Sequence, residues 1–172
     1  MKKIIILSLS TDETEIISSK LKGDASVSTN LWDDLINTPI DLDQFDSLII
    51  TGTEDHLKNP RSSLNIPNRL LETVKTALMN DIPILGINLG MQIINIALGG
   101  KHPKFISLTQ IELNQKRKDI FVSPGSKLTT IIGYAGLMRI GQSSSYGISI
   151  TEKSDILRAS CYSVDNLSLI HI

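Results

Sequence analysis

The chain has 172 residues, and its 17 Lys and Arg against 18 Asp and Glu leave a formal net charge of −1, which excludes a strongly basic nucleic-acid binder and a highly charged disordered tail. A single cysteine excludes an internal disulfide, and with it a disulfide-stapled secreted scaffold. A hydrophobic fraction of 41% is enough for one sizeable core, while 4% aromatic residues are too few for a base-stacking platform.

Lys3 to Leu9 is a continuous apolar run of the kind buried on both faces of a sheet. It reads as a first strand and not as a signal peptide, because Asp12, Glu13 and Glu15 follow without a small-residue cleavage site. No stretch approaches the roughly 18 apolar residues of a membrane-spanning helix. A soluble cytoplasmic protein that engages neither membrane nor nucleic acid is therefore expected. Thr11 to Leu21 has an amphipathic pattern, with Thr11 or Asp12 as N-cap, Ile16, Ile17 and Leu21 on one side, and Gly23 as the stop. Ala25 to Thr29 and Phe45 to Thr51 are the second and third predicted strands, and Gly52 to Pro67 is polar and proline-bearing enough to be a loop.

Asn68 to Asn80 places Leu71, Val74 and Leu78 at spacings of three and four, which predicts a helix with one apolar face. Ile82 to Ile87 is the next strand, opened by Pro83 where a missing N–H is tolerated. Leu89 to Leu98 is a second apolar helix, and the first glycine of Gly99-Gly100 suits a left-handed C′ position. Beyond Gly100 the pattern changes to short β-like segments: 105–113, 120–122, 128–132, 146–150 and 156–162. Turn chemistry separates them at Ser123 to Ser126 and at Thr151 to Asp155. The alternation of strand and helix in the first half predicts a mostly parallel α/β sheet. The later strands are expected to be mixed or antiparallel and to complete that sheet, so that residues 1–172 form one domain.

The strand and helix on either side of residue 88 are joined by almost no loop. Gly86-Ile87-Asn88-Leu89-Gly90 has the layout of a nucleophile elbow, glycine-x-nucleophile-x-glycine, between a strand and a helix. The glycines are needed because the sharp turn brings backbone segments very close together. The central side chain points out at a helix N-terminus, where the dipole lowers the pKa of a thiol.

Pro83-Ile84-Leu85-Gly86-Ile87-Asn88-Leu89-Gly90-Met91-Gln92, a short helix and Gly99-Gly100 closely resemble the class I glutamine amidotransferases, including their gamma-glutamyl hydrolase branch. Asp46-Ser47-Leu48-Ile49-Ile50-Thr51-Gly52 resembles the family's strand ending in a glycine loop, and Gly147 to Ser160 resembles its late strands. The resemblance implies a flavodoxin-like three-layer fold without a cofactor. It puts Asn88 at the position of the family's catalytic cysteine, Gly52 and Leu89 at its oxyanion-hole donors, and Gln92 at a substrate-holding glutamine. Two N–H groups aimed at one oxyanion typically stabilise it by about 3 kcal/mol each. The family's Gly-Pro-Gly loop is here Gly52-Thr53-Glu54, so its shape is expected to differ.

The chemical departure is larger. A carboxamide has no ionisable thiol, so a gamma-glutamyl thioester cannot form at Asn88. Loss of a nucleophile typically removes on the order of 10⁴ to 10⁶ of rate. Asparagine nonetheless tolerates positive φ better than most residues, so it can occupy the elbow. The family's second element is a histidine oriented by glutamate in a His-Pro-Glu motif near the end of a late strand. Here the chain reads Ser168-Leu169-Ile170-His171-Ile172, with a histidine at about the right place and neither proline nor glutamate after it. Leu167 to Ile172 is also one reading frame of a common transposase-end sequencing adaptor. Two origins are therefore open for this tail: a native strand carrying His171, or a non-native end on an incomplete C-terminus in which His171 is coincidental.

Plainer readings stand beside these. The elbow glycines can serve packing alone in a generic doubly wound domain, and Gln92 can be a solvent-facing helical residue. His56 and His102 read as exposed loop residues, Lys116-Arg117-Lys118 as solvated charge in a hairpin turn, and Cys161 as a small buried hydrophobe. No His, Cys and carboxylate grouping has metal-ligand spacing, so no metal is expected. The leading expectation is an amidotransferase-like pseudoenzyme that binds glutamine or a gamma-glutamyl compound, or docks on a separate synthetase. The alternatives are an active gamma-glutamyl hydrolase or glutaminase with an unrecognised nucleophile, and a non-enzymatic flavodoxin-like interaction module.

Overall fold

The computed structural model describes residues 1–36, 38–53, 66–105, 117–141, 146–163 and 167–171. It divides into two compact units, Met1–Ala97 and Leu98–Ile172. The first contains β1 (Lys2–Ser8), α1 (Thr11–Leu21), β2 (Ala25–Leu31), two short 3-10 turns at Asp33–Ile36 and Leu42–Gln44, β3 (Ser47–Gly52), α2 (Asn68–Met79), β4 (Ile84–Asn88) and α3 (Leu89–Ala97). Its four strands pair in parallel in the order β2-β1-β3-β4.

Burial follows from that order. The inner strands β1 and β3 are covered on both faces, as their unbroken apolar runs predict, whereas β2 at the edge exposes Ser26, Ser28 and Thr29. Ile5, Leu7, Leu48 and Ile50 share one core with Leu70 and Val74 of α2 and Leu89 and Ile93 of α3. Ile6 and Ile49 alternate to the opposite face, and α1 packs against β1, β2 and β3. The result is a three-layer α/β arrangement. Lys2 Nζ lies 2.7 Å from Asp46 Oδ1, and the Lys3 N–H donates to Asp46 Oδ2 at 2.8 Å, pinning the entry to β3 against the start of β1. The hydrogen bond from Lys2 and that from the Lys3 amide hold the Asp46 carboxyl below its ordinary pKa.

Several helical details differ from expectation. Ser10, not Thr11 or Asp12, is the N-cap of α1. The buried side chain of α1 is Thr14, while Ile16 is 64% exposed. Thr14 turns inward because its hydroxyl lies 2.7 Å from that of Ser8 and donates to the Ser10 carbonyl at 2.9 Å, joining α1 to β1 through polar contacts. The buried face of α2 is Leu70, Val74 and Ala77. Leu71 and Leu78 stand roughly a quarter turn to its side, and Leu78 is 41% exposed. Gly23 and Gly99 have positive φ, 97° and 88°, directly beyond α1 and α3. After α2 the corresponding position is filled by Asp81, at φ 54°.

The second unit holds β5 (Lys104–Phe105), β6 (Arg117–Val122), α4 (Lys127–Ile132), β7 (Gly136–Gly141), β8 (Tyr146–Ser149), β9 (Ala159–Ser163) and β10 (Leu167–His171). These strands do not extend the parallel sheet but form one of their own, in the order β5-β8-β10-β9-β6-β7, with every pairing antiparallel. Ile120, Val122 and Cys161 make its small core, against which Leu128, Met138 and Ile140 pack. Residues 128–132 are helical and not β-like. Ser126 Oγ accepts from the Thr129 N–H at 3.2 Å, and the Thr129 hydroxyl donates to the Ser123 carbonyl at 2.8 Å, so capping overrides the β preference of Thr and Ile. Arg117 and Lys118 lie in β6, not in a turn. Strand alternation turns Lys118 inward to 6% exposure. Most of the expected 105–113 strand, most of the 52–67 loop and Lys116 lie outside the described residues.

The turn after α2 has Schellman geometry, with the Ile82 N–H donating to the Ala77 carbonyl at 2.8 Å and the Asp81 N–H to the Leu78 carbonyl at 3.2 Å. A side chain at positive φ is strained there. Asp81→Gly is expected to stabilise the protein by about 0.5–1 kcal/mol in urea unfolding, and a loss of stability would contradict this account of the turn.

Candidate functional site

β4 runs into α3 with no intervening residue, Asn88 ending the strand and Leu89 opening the helix. Asn88 takes φ 52°, one of two non-glycine residues with positive φ among the described residues. Such a value in a side-chain-bearing residue stores strain, and asparagine tolerates it better than most. Asn88 is exposed, whereas Leu89 and Gly90 directly after it are buried.

The two flanking glycines are required by close approach. A Cβ on Gly86 would stand 2.6 Å from Met91 N and 2.7 Å from the Gly90 carbonyl carbon. A Cβ on Gly90 would stand 1.9 Å from the Ile50 carbonyl oxygen and 2.5 Å from its carbon. The first turn of α3 is thus pressed against the backbone of β3, and any side chain at residue 90 would push them apart.

The ladder then brings β3 to the same place. Gly52 is the register partner of Asn88, and Thr51 of Ile87, so the carboxyl ends of β3 and β4 stand side by side. A Cβ on Gly52 would meet Leu9 Cδ1 at 3.1 Å and the Trp32 ring at 3.2 Å, so the end of β3 is also packed from the far side. The Thr51 hydroxyl donates to Glu13 Oε2 at 3.1 Å, linking the first turn of α1 to this end of β3. Trp32 and Glu13 were not foreseen. The lone tryptophan was a legible signal, but the reach of Glu13 from one helix to a strand 38 residues away was not.

Gln92, one helical turn beyond Asn88, is 1% exposed and not solvent-facing. α3 is apolar around most of its circumference and turns this position inward with Leu89 and Ile93. Gln92 Oε1 has no hydrogen-bond partner among the described residues, which leaves a strong acceptor buried and unsatisfied.

The structure therefore groups Gly52, Gly86, Asn88, Leu89, Gly90 and Gln92 at one end of the parallel sheet, in the first unit. This is the end at which the carboxyl termini of parallel strands β3 and β4 lie. His171 lies on β10 of the second unit, paired with Ala159 of β9. His102 is exposed, and His56 and Glu54 fall outside the described residues. Cys161 is fully buried, and burial pushes its thiol up from 9.0 to about 11. A thiol so shifted is protonated at neutral pH and is a poor nucleophile. Among the described residues no three His, Cys, Asp or Glu side chains stand together as a metal site.

A parallel sheet with helices on both faces and a strand that runs directly into a helix defines the class of molecule: a flavodoxin-like α/β protein. The Peptidase C26 family model matches residues 33–168, and the chain belongs to that family. A glutamine amidotransferase from Methylobacillus flagellatus superposes with a TM-score of 0.74 at 13% identity, covering 100% of this chain and 66% of that one. This chain thus spans just under two thirds of that structure's length. A glutamine amidotransferase from Thermotoga maritima gives 0.66 at 13% identity, covering 99% and 71% of the two chains. The glutaminase domain of Trypanosoma brucei CTPS with bound acivicin gives 0.63 at 14% identity, covering 94% and 75%. Comparison with curated protein sequences finds no match.

Two measurements test the site. Gly90→Ala is expected to cost about 3 kcal/mol or more in chemical denaturation, because backbone and not a flexible side chain occupies the space. Asn88→Gly, by contrast, is expected to leave stability unchanged or raise it by up to about 1 kcal/mol through relief of the positive φ. Separately, Cys161 is expected to resist iodoacetamide at pH 8 in the folded protein and to react once urea unfolds it. Above pH 9 the unfolded chain loses the thiol proton that the folded chain keeps until about pH 11, so this residue lowers stability as pH rises through that window.

Proposed function

We propose that residues 1–172 form one amidotransferase-like domain that keeps the ligand crevice of its family but lacks thiol-dependent glutaminase activity. The carrying observation is Asn88 itself, held at φ 52° in an elbow whose flanking glycines are required by backbone contacts. On this reading Asn88 stands where the family's nucleophilic cysteine stands. The backbone N–H groups of Gly52 and Leu89 are the donors for a ligand carbonyl oxygen, and Gln92 contributes the amide that helps hold the ligand. The family match spans parts of both units, which supports treating them as one domain.

The ligand class is glutamine or a gamma-glutamyl compound. A carboxamide cannot displace ammonia from it, since the amide nitrogen's lone pair is delocalised and no thiolate can form. Binding and two oriented N–H groups remain available, and these alone support only a small residue of the original rate. A cytoplasmic chain of this kind acts by occupying its ligand or by docking on a separate synthetase.

The test is covalent. Acivicin, the compound bound in the trypanosomal glutaminase structure, is expected to leave the intact mass of the wild-type chain unchanged, with ammonia release from glutamine at background. Asn88→Cys is expected to gain one adduct. Brisk ammonia release by the wild-type chain would establish an unrecognised nucleophile instead, and an unlabelled Asn88→Cys variant would favour a non-enzymatic interaction module.

A further inference from the structure

The three helices described in the first unit are anchored unequally. α2 buries Leu70, Val74 and Ala77, and α3 buries Leu89, Ile93 and Ala97, all in one core. α1 buries Thr14 instead. Its aliphatic side chains are at best half-buried at Ile17 and Leu21, and Ile16 stands in solvent. Packing of an apolar face is the main term that holds a short helix on a sheet, so α1 has the weakest hold of the three.

Two polar details weaken it further. Its N-cap Ser10 makes no side-chain hydrogen bond to the first turn, and the Ser18 hydroxyl is buried with no hydrogen-bond partner among the described residues. What fixes α1 is polar and sits at its first turn. The Thr14 hydroxyl meets that of Ser8 at the end of β1, and Glu13 Oε2 accepts from the Thr51 hydroxyl at the end of β3. Thr51 is buried, and the residue after it, Gly52, is the register partner of Asn88.

We infer that α1 is a strap that undocks and redocks as one unit on an otherwise folded sheet, with the Glu13–Thr51 hydrogen bond as the latch that couples it to the end of β3. The opening is confined to the segment between β1 and β2. Those strands stay paired from Lys2 opposite Ala25 to Ser8 opposite Leu31, and the side chains of Ile5 and Leu7 remain in the core on the opposite face. Gly23, at φ 97° with open space around it, is the pivot at the far end of the helix. Undocking uncovers Ile6 and Ile49, which keeps the open form a minor one. It also bares Thr51 and releases the end of β3 from its tie on that side. The strap rests on the first unit alone and holds whatever ligand the elbow takes.

Hydrogen exchange on the full chain in dilute urea reads this opening directly. The amides of residues 15–21 are expected to share one opening, about tenfold or more as populated as that of the β1 and β3 amides. Its urea dependence is expected to be shallower than that of global unfolding, because less surface is exposed. Thr51→Val, close in shape but without the donor, is expected to speed exchange across residues 15–21 by about fivefold to tenfold and to leave α2 and α3 unchanged. Glu13→Ala, at a half-buried position that folding tolerates, is expected to do the same, and Glu13→Gln, which keeps an acceptor oxygen, much less. The double variant Glu13→Ala, Thr51→Val is expected to go no further than either single change, since both remove one bond. Exchange of the α1 amides at the rate and urea slope of β1, indifference to Thr51→Val and Glu13→Ala, or additive effects in the double variant would each overturn the proposal. These readouts involve neither ligand nor Asn88, so their outcome is separable from that of the acivicin experiment.

Discussion

The contact on which the site depends is backbone against backbone, the first turn of α3 lying against the Ile50 carbonyl of β3 with only the absent side chain of Gly90 between them. A helix that starts directly from a strand's last residue has no loop with which to adjust its approach. Its first turn must pass over the neighbouring strand at whatever distance the elbow dictates. Gly86 meets the same demand on the other side, where a Cβ would enter the backbone at Met91. Once these two positions are glycine, the direction of α3, the burial of Leu89 and Ile93 and the positive φ at residue 88 follow together.

That arrangement accounts for the polar groups gathered at this end of the sheet. Parallel strands β3 and β4 finish in register at Gly52 and Asn88, and the α3 amides open toward the same end. The partial positive charge of a helix N-terminus is thus set beside a residue whose side chain is exposed. Trp32 packs on Gly52, and Glu13 accepts from Thr51, so the end of β3 is held from both α1 and the segment after β2. This end of the sheet is built from backbone and from residues spread over most of the first unit.

The first unit was largely readable because its signals are local. Apolar runs bounded by Gly and polar residues place β1, β3 and α2 to within a residue or two, and the spacing of Gly86 and Gly90 about Asn88 anticipates the elbow. What was not readable depended on partners distant in sequence. The inward face of α1 is Thr14 because Ser8 offers it a hydrogen bond, a fact that no hydrophobic periodicity contains. Lys118 is buried because β6 is an inner strand between β7 and β9, which the charge run Lys116 to Lys118 conceals. Residues 128–132 look like a strand by composition and are helical through the Ser126 cap. The second half was also expected to extend the parallel sheet. Short apolar segments specify that strands exist, whereas the choice of neighbour is made by pairings such as β9 with β6 across some forty residues.

Residue 88 differs from its neighbours in how little the fold asks of its side chain. Its φ must be positive, and its side chain faces solvent, so packing places almost no further demand on it. Asparagine meets the conformational demand at low cost, as would glycine, and neither enters the core formed by Leu89, Ile93 and Ile50. The terms that stabilise the elbow and the one term that would make it reactive therefore reside in different atoms: backbone approach at Gly86 and Gly90 for the first, a single exposed side chain for the second. The backbone geometry of the turn is therefore independent of the side chain that residue 88 presents to solvent.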